Sequence, residues 1–266
     1  MGSTFGTGRA AIQERSRKVV IDIPSSARRM SAAHAERVEP QPDRGFIGKA
    51  SAPEKGILRI SGFALVLSGL LAGAAAVLQA TAWPPSTAEE LSMWTESHHL
   101  TLALVDECLV IGAALLAVGV VGAWQGMGAR RRPGIAVGVA LIALTTPVSV
   151  VFGVVYGRLV YPAYGMDVAG DPSALALVVT TWAGGAHAVS LILMVAGLTI
   201  GVAMIRDRER GAALGVLGVI AGILQLVAAY PWLFSVAAVT CSQIVLAAWF
   251  AALGGSLFMR TRGSTR

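Results

Sequence analysis

From Ile57 to Met259 the sequence is a series of six apolar segments, and this constrains the fold more than any other feature. The segments run at about 57–82, 100–124, 134–160, 174–205, 211–229 and 233–259. Each is close to or above the roughly 20 residues that a helix needs to cross a hydrocarbon core about 30 Å thick. Lipid offers no water to pair with backbone N–H and C=O groups, so segments this apolar must satisfy them internally, as helices. A membrane β-barrel would need polar–apolar alternation along each strand, and that alternation is absent. The sequence therefore predicts an all-α fold, a six-helix transmembrane bundle over residues 56–262. With 55% hydrophobic and 14% charged residues, the chain is too apolar for a soluble domain.

The connecting segments set an orientation. Arg59, Arg130, Arg131, Arg132, Arg206, Arg208, Arg210, Arg260, Arg262 and Arg266 fall on one side of the six segments. The other side carries Glu89, Glu90, Glu96, Asp106, Glu107, Asp167 and Asp171, with Arg158 as its one basic residue. By the positive-inside rule the arginine side is cytoplasmic, which puts the N- and C-termini inside a multipass protein of the cell (inner or plasma) membrane. Trp83, Trp94, Tyr161, Tyr164, Tyr230 and Trp232 then lie near the outer boundary and Trp124 near the inner one, as an interfacial aromatic belt would. The same distribution accounts for the net charge of +6 without nucleic acid; the partner it implies is the lipid bilayer. High Ala, Gly, Val and Arg usage suggests a bacterial, high-GC origin.

Residues 1–55 read differently. Ser, Ala, Pro and charges of both signs, with no sustained apolar period, predict a disordered cytoplasmic tail. Its Val19–Pro24 run is a candidate docking peptide, and Met30 a candidate alternative start. No apolar core of a secretory signal follows the charges, and Gly6 stands where the myristoylation pattern needs Ser or Thr.

Between the first two segments, Ser86 with Glu89, or Thr87 with Glu90, has capping-box spacing, which predicts a helix starting near Ser86 and continuing into the second segment. Pro162, Gly165, Gly170 and Pro172 predict an irregular loop over 161–173, and Tyr230-Pro231-Trp232 a tight hairpin. Small residues recur four apart at Gly69/Gly73, Gly134/Gly138, Gly153/Gly157, Gly197/Gly201 and Gly218/Gly222. Such faces let helices approach closely, either within the bundle or between copies in a homo-oligomer. Cys108 and Cys241 lie in apolar runs and are expected to act as small buried hydrophobes; no cofactor is implied.

Three groups of residues can carry chemistry. On a continuous helix Glu96, His99 and Asp106 would share a face, a candidate set for a divalent metal. Asp106 and Glu107 lie inside the apolar run, where a carboxylate is costly without a partner; Arg158 is the natural one. His187, 13 residues past Ala174, is expected near the bilayer middle. Thr145, Thr146, Gln225, Ser242 and Gln243 fall at similar depth and, with His187, could form a polar layer around a ligand cavity or simply join helices. Pro147 predicts a kink beside it. No H-E-x-x-H, G-x-S-x-G, Walker or paired Asp-rich motif occurs, so no enzyme activity is supported.

Arg59-Ile60-Ser61-Gly62 opening the first segment, Asp106 early in the second, and the charged turn and Gly-rich segment from Arg206 to Gly222 together resemble the domain of unknown function 4386 family of six-helix bacterial membrane proteins. That resemblance implies membrane residence and no particular activity. The leading reading is a multipass membrane protein that handles a small ligand or lipid, or serves as an accessory bundle. The alternatives are a proton-coupled transporter using Asp106, Glu107 and His187, and a membrane-embedded metal enzyme using Glu96, His99 and Asp106.

Overall fold

The structure, a computed structural model, describes residues 52–262 apart from 164, 166, 167, 169 and 208–210. The expectations for the tail up to residue 51, and for Tyr164, Asp167, Arg208, Arg210 and Arg266, lie outside the described residues.

Seven α-helices are described: α1 (Ala52–Thr81), α2 (Leu91–Ser97), α3 (His99–Gly126), α4 (Pro133–Gly157), α5 (Pro172–Arg206), α6 (Ala212–Ala229) and α7 (Val236–Arg262). All but the short α2 are long and apolar enough to cross a membrane, as the helices of a multipass membrane protein must be. The expected segments are helices, with local differences. α1 begins at Ala52, inside the stretch assigned to the tail. The capping box does not form: α2 starts only at Leu91, its N-cap Glu90 makes no side-chain cap, and Leu91 and Trp94 anchor it by burial. Nor does α2 run on into α3. The chain leaves helical geometry at His98 (φ −113°, ψ 15°), whose Nδ1 lies 3.0 Å from the Trp94 carbonyl. By contrast α4 continues as helix through Pro147.

The six long helices close a ring in chain order. α1 packs on α3, α3 on α4, α4 on α5, α5 on α6, α6 on α7, and α7 returns to α1. Glycine makes the closest of these contacts. A Cβ on Gly197 would lie 2.8 Å from the Gly218 carbonyl oxygen, and one on Gly201 2.6 Å from that of Gly215, so α5 and α6 meet backbone to backbone. α1 and α7 meet likewise, with a Cβ on Gly62 falling 2.8 Å from the Gly254 oxygen. Lipid tails are as apolar as leucine, so helices here gain mainly by such close van der Waals approach. Every one of the five glycine pairs spaced four apart faces a neighbouring helix of the same chain. These faces are occupied within the bundle.

Exposure is inverted relative to a soluble protein. Ile60, Phe63, Leu70, Val154 and Leu177 are exposed, whereas Gln225, Thr145 and Ser242 are buried. One buried cluster, with Leu65, Ile135, Ile200, Trp249 and Leu257, fills the half toward the arginine-rich end. A second, with Leu91, Trp94, Leu102, Tyr156 and Leu175, packs the acidic end. Polar ties close the arginine-rich end: Arg132 pairs with Asp207, and Arg260 donates to the Gly126 carbonyl at the end of α3.

Candidate functional site

Between the two packed clusters the ring is hollow. A chamber with two adjoining lobes, of about 150 and 240 Å³, occupies the half of the bundle toward the acidic end. All six long helices line the inner lobe, through residues such as Ala75 of α1, Leu109 of α3, Phe152 of α4, Ser190 of α5, Gln225 of α6 and Gln243 of α7. The outer lobe is walled by Trp83, Trp94, Tyr156, Trp182 and Trp232. Gln79, Trp182, Ala186 and Gln243 belong to both lobes, which therefore adjoin across these side chains. On α5 the wall runs from Val179 to Leu193, a length of about 20 Å at about 1.5 Å per residue.

The α5 contribution follows from helical periodicity. Trp182, Gly185, Ala186, Val189, Ser190 and Leu193 recur three and four apart and form one face. Gly185 lets the Phe152 ring of α4 seat against α5, and Trp182 packs on Tyr156 of α4 with ring centroids 5.0 Å apart. α1 contributes Ala72, Ala75, Ala76 and Gln79 to the wall.

The chamber's polar groups are few and specific. Gln225 is 0% exposed, and neither its Oε1 nor its Nε2 has a hydrogen-bond partner. Trp94, on the outer wall, is 8% exposed, and its indole N–H is likewise unpaired. Leaving a buried donor or acceptor unsatisfied costs about 1–3 kcal/mol, and these atoms have essentially no accessible surface, so none is presented to the open space of the chamber. No Asp, Glu, Lys, Arg or His among the described residues lines either lobe.

The other polar groups expected at this depth are satisfied locally. The hydroxyls of Thr145 and Thr146 donate to the Ile142 carbonyl, and that of Ser242 to the Val239 carbonyl. Each bonds its own helix and does not join Gln225 in a network. Trp249 Nε1 is also unpaired, but it packs against Gly218 in the cluster of the arginine-rich half.

His187 lies level with the end of α6 that joins the α6–α7 hairpin. Its Nδ1 donates to the carbonyl of Ala229, the last residue of α6, over 2.7 Å, and its ring packs on Tyr230 and Trp232 at centroid distances of 5.0 and 5.9 Å. α5, at 35 residues, is about 50 Å long and extends well beyond the 18-residue α6. His187 ties α5 to the α6–α7 hairpin and does not line the chamber.

Asp106 is buried against α4, where a Cβ on Gly157 would come 2.8 Å from its Oδ2; Oδ1 has no hydrogen-bond partner. Glu107 is exposed and accepts a hydrogen bond from the Tyr161 hydroxyl at 3.3 Å, while Arg158 donates to the Tyr161 carbonyl at 2.8 Å. Desolvation, and then the neighbouring Glu107 carboxylate, hold the Tyr161 phenol above its ordinary range. Glu96 and His99 are exposed, on opposite sides of the break at His98, whereas Asp106 is buried. These three side chains are not brought together at one site. Among the described residues no group of three His, Cys, Asp or Glu side chains could hold a metal. Cys108 is half-buried and Cys241 exposed, so neither is the buried thiol expected.

Asp171, read only as an acidic loop residue, caps α5, accepting from the backbone N–H of Ser173 at 2.9 Å and Ala174 at 3.3 Å. A larger groove of about 700 Å³ lies between α4 and α5 at the arginine-rich end, beside the Arg132–Asp207 pair, and is open to the surface.

No family model matches the chain, and neither a curated protein nor a solved structure does.

Proposed function

We propose that this is a multipass protein of a bacterial inner or plasma membrane, both chain ends cytoplasmic, whose central chamber binds a small or lipid-like ligand entering from the outer side. The observation that carries this reading is the chamber itself, lined by all six long helices and walled at its outer end by Trp83, Trp94, Tyr156, Trp182 and Trp232. Ligand sites in bundles have this form, concave and mostly apolar with a few convergent polar groups. The orientation rests on the arginines, and membrane residence also agrees with the family resemblance of the sequence.

The proton-coupled alternative has weaker support, because Asp106, Glu107 and His187 all lie off the chamber wall. Binding of 4-hydroxystilbene to the protein in lipid nanodiscs, read as energy transfer from tryptophan, tests the proposal. Saturable transfer is expected in the parent and should be lost in Ala186→Phe, which fills the junction of the lobes. Equal transfer in both proteins would contradict it.

A further inference from the structure

We infer that the open groove between α4 and α5, at the arginine-rich end of the bundle, binds an anionic phospholipid of the adjacent leaflet. Its phosphate meets Arg131 and Arg206, and one acyl chain lies along the apolar face of α5 that leads away from them.

The charge balance of the rim selects an anion. Arg131, Arg132 and Arg206 line the groove together with one acid, Asp207. Asp207 pairs with Arg132, and among the described residues the guanidinium groups of Arg131 and Arg206 have no ion pair or hydrogen bond. Both residues are exposed, so two positive charges at the groove are left uncompensated by protein. The planar fork of arginine suits a phosphate, engaging two oxygens at once. Arg132, the N-cap of α4, makes no side-chain cap and the first turn of α4 holds no acid, so the start of that helix adds partial positive charge.

The floor selects a lipid over a free anion. On α5, Leu198, Thr199, Val202, Ala203 and Arg206 recur three and four apart and share one face, which runs about 12 Å from the rim at about 1.5 Å per residue. The Thr199 hydroxyl is engaged within α5, by the carbonyls of Val195 and Ala196, so this track is apolar in effect. Gly134 seats α4 beside it, where an added Cβ would lie 3.3 Å from that of Ala203. Both helices are long and apolar enough to cross a membrane, and the groove lies where one ends and the other begins, at headgroup level. Basic pockets between membrane helices at the bilayer surface are sites for anionic headgroups. A soluble anion would use the rim and leave the track empty.

Native mass spectrometry of the full chain in detergent, titrated with palmitoyl-oleoyl phosphatidylglycerol or phosphatidylcholine, gives the affinity for the first lipid bound. Phosphatidylglycerol is expected to bind more tightly. Replacing Arg131→Gln and Arg206→Gln together should weaken it by about 25-fold, about fivefold for each arginine, and remove the preference over phosphatidylcholine. Val202→Trp keeps every charge and fills the track, and it should weaken phosphatidylglycerol as well. Glycerol 3-phosphate, a head without chains, should fail to displace the lipid at equal concentration. Equal affinity for the two lipids overturns the anionic class, and displacement by glycerol 3-phosphate makes the site one for a free anion. If the double variant and Val202→Trp both bind phosphatidylglycerol like the parent, the lipid sits elsewhere and the inference falls. Should the double variant not fold, Val202→Trp and the glycerol 3-phosphate competition decide.

Discussion

His187 Nδ1 donates to the carbonyl of Ala229 across 2.7 Å, fastening the middle of α5 to the end of α6. One of the last carbonyls of a helix lacks an intrahelical partner, and the imidazole supplies one. Removing that donor while keeping a ring against Tyr230 and Trp232 isolates its contribution. His187→Phe is expected to lower stability by about 1 kcal/mol in detergent unfolding and to leave 4-hydroxystilbene binding unchanged. Loss of binding with unchanged stability would place His187 in the site.

Asp106 presses on α4 at Gly157 and lies off the chamber wall. Asp106→Asn keeps its shape and removes the ionisable group. Probe affinity measured in nanodiscs is expected to stay within about twofold, because Asp106 borders the chamber only from behind its neighbour Gly153 and is not itself on the wall. A proton-coupled mechanism built on Asp106 predicts loss of pH-dependent uptake in this variant, at normal protein abundance.

Gly197 and Gly184 sit on the same helix and should respond oppositely to one added methyl. A Cβ on Gly197 meets the Gly218 oxygen at 2.8 Å, whereas one on Gly184 meets nothing within 4 Å. Gly197→Ala is expected to cost about 1–3 kcal/mol through forced separation of α5 and α6. Gly184→Ala should be neutral or slightly stabilising. Thermal unfolding of the two variants checks the contrast.

The Tyr161–Glu107 contact has a pH signature. The phenol is held above its ordinary range, so the folded state binds this proton more tightly than the unfolded state. Its contribution to stability is complete below the ordinary tyrosine range and is lost as pH rises through the raised folded value. Phenolate absorbance should place Tyr161 above a free tyrosine, and Glu107→Gln should bring it down. An unmoved midpoint would remove Glu107 as a cause.

The bundle was legible because each segment's apolarity leaves the backbone only one way to satisfy itself. The site was legible in part. Gln225 and Gln243 stood out as amides in apolar runs, and both line the chamber. His187 lies on a different face of α5 from the chamber wall. The chamber face carries Trp182, Gly185, Ala186, Val189, Ser190 and Leu193, a set whose three–four spacing is readable but whose residue types look like ordinary packing. Position along a helix locates a residue in a membrane only when neighbouring helices have similar lengths, and α5 is far longer than α6. Trp94 looked like an interfacial anchor; only the break at His98, invisible in residue type, sets α2 over the chamber as a separate helix.

Saturable 4-hydroxystilbene binding in lipid nanodiscs, compared between the parent and Ala186→Phe, tests the central claim most directly. The account predicts saturable binding in the parent that the variant loses, because the added ring fills the junction of the two lobes. Equal binding in both proteins, or none in the parent, would contradict it.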